Sequence, residues 1–254
     1  MKIDINCDMG ESFGRYQLGL DAEIMPFISS ANIACGFHAG DPSVMHKTVQ
    51  MAVEHGVGVG AHPGFPDLVG FGRRNLNMLT DELRDAIIYQ VGALMGFTQM
   101  LGANIQHVKP HGAMYNMAAE NESMAKTIIE TLLKLNDQLI LFGLSGSKIL
   151  SIARKSGLRV ACEVFADRAY NEDGSLVSRQ QPGSVITDSS EVANRILKMV
   201  KERKVTAITG LEIDLELDTI CVHGDTAGAV DHVKHIVHVL KQEGIEIAPV
   251  GKFL

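Results

Sequence analysis

Short runs of β-branched and other apolar residues alternate along this chain with longer segments whose apolar positions recur at helical spacing. The runs read as strands over residues 2–7, 32–35, 57–61, 105–108, 139–142, 159–165 and 219–222. The segments between them carry helix signals. Asp41-Pro42 supplies an N-cap and a first-turn proline, and Met45, Val49, Ala52 and Val53 then form an apolar stripe ending near His55-Gly56. Thr80 opens a second helix, whose Asp81, Glu82 and Asp85 suit the positive end of its dipole. Further helices are expected over 118–135, 147–155, 190–203 and 226–242.

Regular alternation of strand and helix predicts parallel strands joined by crossover helices, with the sheet buried on both faces. A closed, parallel β/α barrel of about seven strands accounts for this α/β pattern better than an open sheet. No Pro/Ser-rich linker interrupts the order, so residues 1–254 are expected to form a single barrel domain. The segment 167–184, rich in charge and glycine and containing Pro182, is the longest insertion after a strand. In such a fold it lies over the mouth as a lid or binding loop.

A hydrophobic content of 46% supports a large core, and a net charge of -7 sets the chain against a phosphate backbone, which excludes nucleic acid as a partner. No apolar run approaches the roughly 18 residues of a membrane span, and Asp4 and Asp8 interrupt the early apolar stretch where a leader would lie. These features predict a cytoplasmic protein with no membrane partner. Cys7, Cys35, Cys162 and Cys221 form no C-x-x-C pair and are expected as reduced, packed thiols; Cys7 and Cys35 lie near the polar residues considered next.

Polar residues with catalytic side chains follow the strand runs. Asp8 and Glu11 come after the first, His38 the second, His62 the third, Lys109 and His111 the fourth, Asp167 and Arg168 the sixth, His223 and Asp225 the seventh. A barrel opens all these segments on its C-terminal rim, where the active sites of such enzymes are built. Glycine stands beside or close to His38, His62, His111 and His223, which permits sharp turns and close approach of a ligand. His232, His235 and His238 are expected on a solvated helical face, and His107 and His111 would be ~13 Å apart along an extended strand, too far for a metal pair. Ser145-Gly146-Ser147-Lys148 has S-x-x-K spacing but lacks the companion motifs of serine enzymes acting on lactams, and its serines suit a helix N-cap. No G-x-x-x-x-G-K-[ST] loop is present, so any ATP is held differently or on another chain.

The blocks Asn6-Cys7-Asp8-Met9-Gly10-Glu11, Cys35-Gly36-Phe37-His38-Ala39-Gly40-Asp41-Pro42, Ala61-His62-Pro63-Gly64-Phe65, Gly70-Phe71-Gly72-Arg73-Arg74, Lys109-Pro110-His111-Gly112, Glu163-Val164-Phe165-Ala166-Asp167-Arg168-Ala169-Tyr170 and His223-Gly224-Asp225 together resemble the LamB/YcsF family over nearly the whole chain. The resemblance implies a barrel related to the glycoside hydrolase/deacetylase superfamily. It also implies work with partner subunits B and C, converting 5-oxoproline, water and ATP, with Mg2+, to glutamate, ADP and phosphate. On that footing Asp8 or Glu11 is the expected base toward water, and His38, His62 or His111 stabilises developing charge or protonates the leaving nitrogen. Lys109 and Arg168, with Arg73 and Arg74 as further candidates, are the cations for a carboxylate or phosphate. Asn6, Glu163, Asp167, Tyr170, His223 and Asp225 complete the expected substrate-binding set. Asp8, His38 and His62 are candidate ligands for a divalent ion such as zinc. A stand-alone metal-dependent amidase or carbohydrate deacetylase and a non-catalytic substrate-binding subunit remain open as alternatives.

Overall fold

Along β1 (Lys2–Met9) residues of opposite parity meet opposite surroundings. Ile3, Ile5, Cys7 and Met9 join the main apolar cluster, whereas Asp4, Asn6 and Asp8 bond to polar side chains of other strands. This computed structural model describes all of residues 1–254 except 179, 223 and 225–227. The chain continues through α1 (Asp21–Ile24), β2 (Ser30–Ala34), α2 (Pro42–Glu54), β3 (Gly58–His62), α3 (Thr80–Met100), β4 (Ile105–Val108), α4 (Gly112–Glu120) and α5 (Glu122–Leu135). It then forms β5 (Ile140–Leu144), α6 (Lys148–Lys155), β6 (Arg159–Phe165), α7 (Ser189–Glu202), β7 (Lys204–Thr206), β8 (Glu212–Asp214), β9 (Thr219–Val222), α8 (Ala229–Gln242) and β10 (Glu246–Ile247).

β1 pairs in parallel with both β2 and β9, which closes a barrel in the order β1-β2-β3-β4-β5-β6-β9. Every pairing around the ring is parallel, as the strand and helix alternation predicted. β10 adds to the start of β1, through Lys2 and Ile3, and β7 and β8 form a separate antiparallel hairpin.

Three local readings change. The expected helix over 118–135 is two helices, because Asn121 is extended and its side chain accepts the Met124 N–H at 3.0 Å, which starts α5 afresh. The hairpin, α1 and β10 have too few residues to leave a periodic signal. His232 is buried rather than solvated, its Nε2 donating to the Thr187 carbonyl at 3.0 Å, while His235 and His238 are exposed as expected. The expected start of the last helix at 226 lies outside the described residues.

The strands are buried on both faces, yet the inner face is a ladder of polar side chains. At its lower end Asp4 takes hydrogen bonds from Ser29 and Ser30 at 2.6 and 2.7 Å and from the Thr219 hydroxyl, while burial pushes its carboxyl up to about 6. Asn6 Nδ2 donates to Thr219 Oγ1 at 2.7 Å, and Asn32 Nδ2 donates to both Asn6 Oδ1 and Asp8 Oδ1 at 2.7 and 2.8 Å. Since a carboxylate only accepts, Asp8 fixes the Asn32 amide orientation. Asn32 Oδ1 therefore accepts from His107 Nε2 at 2.7 Å.

His107 fits inside because β3 offers no side chain opposite it. A Cβ on Gly60 would lie 2.0 Å from His107 Nε2, and the ring has no room to retreat, being stacked on Phe142 at 4.1 Å. Gly60→Ala is expected to destabilise the protein by about 1–3 kcal/mol through overpacking. Urea titration measures this; an unchanged midpoint would contradict the packing described.

Candidate active site

The upper rungs of the ladder form the site, with side chains delivered by strand ends and the loops that leave them. β1 presents Asp8 and, one turn of loop later, Glu11; β3 ends on His62; Lys109 and His111 follow β4; the loop between β2 and α2 supplies His38. Asp8 thus belongs to the strand rather than following it, because its inward position continues the polar parity of Asp4 and Asn6.

Lys109 crosses the centre. Its ammonium, 3% exposed, donates to Asp8 Oδ1 at 2.9 Å, lies 2.8 Å from Glu163 Oε1, and also contacts Asn6 Oδ1 at 3.3 Å and Cys221 Sγ at 3.2 Å. Burial opposes its charge, but Asp8, Cys221 and Glu163 hold its pKa well above the usual lysine value. Burial likewise raises the Asp8 carboxyl, and the stronger combined pull of His62 and Lys109 holds it well below the usual range. Tyr115, one turn into α4, donates to Glu163 Oε2 at 2.7 Å. Lys109 is therefore committed to two carboxylates, which argues against its expected role in holding an anionic ligand.

Next to it, Glu11, His38, His62 and His111 bring one ligand atom each within 4.8 Å of all the others. Glu11 Oε1 is 3.6 Å from His38 Nε2 and 3.7 Å from His111 Nδ1, and His62 Nε2 is 2.9 Å from His111 Nδ1. Backbone carbonyls set the tautomers. His62 Nδ1 donates to the Lys109 carbonyl at 2.7 Å, and His111 Nε2 to that of Phe71 at 2.8 Å. In neutral rings the two nitrogens facing each other at 2.9 Å then both carry lone pairs. Only a proton or a cation between them makes the contact attractive.

Several observations fit a cation. Burial pulls the His111 pKa down to about 3 and His38 well below its ordinary value, so neither ring readily takes the extra proton. His38 is fully buried and stacked on His111 at 3.7 Å, and among the described residues neither of its nitrogens has a hydrogen-bond partner. A proton shared by His62 and His111 would leave that cost in place. One divalent ion could meet all four donors: zinc with ligands at roughly 2.0–2.1 Å separates tetrahedral donor atoms by about 3.3 Å, a spacing the three contacts bracket. The carbonyl anchors on His62 and His111 are the usual support of metal-bound histidines. The cluster includes His38 and His62 from the sequence candidates. Asp8 stands beside it, with Oδ2 3.3 Å from His62 Nε2.

Above the cluster opens a cavity of about 560 Å³ whose wall includes Asp8, Glu11, His62, Lys109 and His111. Arg73 and Arg168 reach it from opposite loops, and residues 175–178 and 180 of the long insertion line one side, where a lid or binding loop was expected. Other expected residues stand back. Asn6 and Glu163 support Lys109; Tyr170 is fully buried and accepts the Phe165 N–H at 2.8 Å; Asp167 is buried off the cavity wall. Arg74 turns to Asp67. His223 and Asp225 lie outside the described residues. All four cysteines are free and buried, and Cys221, rather than Cys7 or Cys35, touches Lys109. Sequence reasoning missed Tyr115 and Asn32, and it weighed His107 only as a metal partner of His111, a pairing it set aside; the four-residue step from His111 to Tyr115, one helical turn, was the available signal for the first.

Fold and site together define a parallel β/α barrel with a candidate metal centre at its C-terminal rim. The chain matches the model of the LamB/YcsF family over residues 3–254. It belongs to that family. It is 54% identical, over the full length of both chains, to the 5-oxoprolinase A subunit of Pyrococcus horikoshii. The crystal structure of the lactam utilization protein from Thermus thermophilus superimposes with a TM-score of 0.93 at 45% identity, covering 98% of this chain and 99% of that one. A peptidoglycan N-acetylglucosamine deacetylase shares the fold, with a TM-score of 0.50 at 12% identity over all of this chain and 87% of its own. Among the described residues no helix is long and apolar enough to cross a membrane.

Proposed function

We propose that this chain is the hydrolytic component of an ATP-dependent 5-oxoprolinase, acting with partner subunits B and C to open the lactam of 5-oxoproline to glutamate. The observation that carries the reading is the buried cluster of Glu11, His38, His62 and His111 at the floor of a cavity lined by Asp8, Arg73 and Arg168. The 5-oxoprolinase and lactam-utilization relatives supply the substrate class. A five-membered lactam resists water, so ATP with Mg2+ activates its carbonyl, and the lack of a P-loop motif in this chain is consistent with that phosphorylation taking place on the partners.

Within this chain, Glu11, His38, His62 and His111 would hold a divalent ion, zinc being well matched to three imidazoles and a carboxylate. Such an ion supplies Lewis-acid chemistry, polarising a carbonyl and acidifying nearby water. Asp8 is ionised, and Asn32 and Lys109 occupy its Oδ1. That leaves Oδ2, turned toward His62, to take a proton from the attacking water. Lys109 keeps Asp8 and Glu163 from repelling each other. Arg73 and Arg168 offer guanidinium groups to the carboxylate of the substrate or to a phosphate on its activated form.

Reconstituting the three subunits and following glutamate tests this. Ring opening is expected to need both ATP and this chain, to fall when the chain is stripped of metal, and to return with zinc. Full activity from the partners alone, or from metal-free protein, would remove the hydrolytic role. Because the cluster is complete within this one chain, ATP-independent cleavage of simple amides by the isolated protein would instead favour a stand-alone amidase.

A further inference from the structure

Residues 67–74 close over two of the candidate ligands in an unfavourable backbone conformation. Phe71 has φ 55 and Gly72 φ 62, and Phe71 is one of two described non-glycine residues with positive φ. Left-handed backbone disfavours any residue with a Cβ, and such strain persists only where the surroundings enforce it. Gly72 has no alternative: a Cβ there would lie 2.7 Å from His38 Cβ and 2.8 Å from His111 Cδ2.

The outer side of the loop is fastened by Asp67. Its carboxylate accepts the Gly70 N–H at 2.9 Å and the Arg74 Nε–H at 2.9 and 3.0 Å, with Arg74 Nη2 as a second donor; its carbonyl accepts the Gly72 N–H at 2.9 Å. The inner side reaches the site. Phe71 O accepts from His111 Nε2 at 2.8 Å, Gly72 O accepts the Ala113 N–H at 2.9 Å, and the Phe71 ring meets His111 and His38 edge-on at 5.1 and 5.8 Å. Arg74, 64% exposed, is outside the cavity, so its role in this loop is separate from ligand binding.

We propose that the Asp67–Arg74 pair is a positioning clasp for His111: it holds Phe71 in the left-handed conformation, so that the Phe71 carbonyl keeps His111 in the Nε2–H tautomer with Nδ1 presented to Glu11 and His62. With the clasp open, residues 70–73 relax toward ordinary backbone angles and the carbonyl leaves Nε2. His111 then samples both tautomers, and the cluster loses a fixed donor. The consequence for metal affinity rests on the proposed metal reading; the tautomer does not.

The test uses full-length protein labelled with 15N-histidine, first metal-free and then titrated with Co2+ against a competing chelator. Wild type is expected to show His111 protonated at Nε2 alone. Arg74→Gln, an exposed change whose folding is checked by its melting curve, is expected to mix the tautomers and weaken Co2+ binding about 10–100-fold. Asp67→Asn should act in the same direction. Adding Phe71→Gly to Arg74→Gln should restore the single tautomer, since glycine adopts positive φ without strain; a role limited to general folding gives no such rescue. An unchanged tautomer in Arg74→Gln, or wild-type His111 protonated at Nδ1, overturns the clasp. A wild type with the expected tautomer and no Co2+ binding upholds the clasp and removes the metal reading.

Discussion

Lys109→Met is expected to cost the protein about 3–5 kcal/mol and to abolish ring opening in the reconstituted complex. The magnitude follows from what the substitution leaves behind. Asp8 and Glu163 approach one ammonium at 2.9 and 2.8 Å, and removing that ammonium strands Glu163 without water while Asp8, on the cavity wall, keeps only partial solvation. Glu163, fully buried, keeps the Tyr115 hydroxyl as a donor but loses its cation, and Asp8 loses the charge that helps hold it ionised. A domain stable by roughly 5–15 kcal/mol survives such a loss, but with little margin. Adding Glu163→Gln removes one stranded charge, so the double variant is expected to regain at least about 1 kcal/mol relative to Lys109→Met, a coupling readable from a double-mutant cycle. Urea midpoints and glutamate formation are the measurements. A Lys109→Met protein within about 1 kcal/mol of wild type and still active would show that the lysine is a surface-like cation rather than the centre of the network.

The sequence disclosed the barrel and its rim because both leave local marks. Each strand run ends in punctuation, and His62-Pro63-Gly64 and His111-Gly112 show where the chain turns out of the sheet. Parallel order and the convergence of Asp8, His38, His62, Lys109 and His111 follow from that alternation. Direction beyond a strand end was less readable. Asp8 still obeys the two-residue period and points inward, while Glu11, three residues later, is aimed by loop bonds such as Gly10 N–H to Asp21 Oδ2 at 2.8 Å. That difference puts Glu11 among the histidines and Asp8 beside them. Arg73 and Arg74 make the same point: adjacent in sequence, one faces the cavity and the other fastens a loop. Glu163 resembled a substrate-binding residue until three-dimensional packing placed Lys109 and Tyr115 against it. The β7–β8 hairpin, with three residues per strand, had no period long enough to recognise.

Acid should unfold the metal-free protein well above the pH at which carboxylates alone would do so. Burial holds His38 and His107 well below the ordinary imidazole pKa and His111 down to about 3, so each is neutral in the folded chain while its unfolded counterpart protonates near 6.5. The unfolded state therefore binds more protons below about 6.5. Stability from these groups is complete above that pH and is lost as pH falls toward their folded values. For His111 that is roughly 2 kcal/mol between about pH 6.5 and 5, at about 1.4 kcal/mol per pH unit, and His38 and His107 add losses of the same sign. Asp4 has the opposite sign. Its folded pKa of about 6 exceeds the unfolded 3.8, so its contribution is fully present below 3.8 and is lost as pH rises through 6; on acidification it gives back roughly 1 kcal/mol by about pH 5. Asp8, held low, adds its own loss only below 3.8. The balance is a net fall in stability from about pH 7 to 5, because three imidazoles act against one carboxyl, and it is large against the roughly 5–15 kcal/mol that holds an ordinary domain folded. His107 tests the attribution cleanly, since it lies outside the Glu11, His38, His62 and His111 cluster and stacks on Phe142. His107→Gln lowers stability at neutral pH but should reduce the dependence on pH by one proton. Zinc added at neutral pH should raise the urea midpoint and steepen its decline in acid, because protons and metal compete for the same nitrogens. A midpoint that stays level through this acid range would mean that these imidazoles are solvated or already charged, and the ladder inside the barrel could not be packed as described.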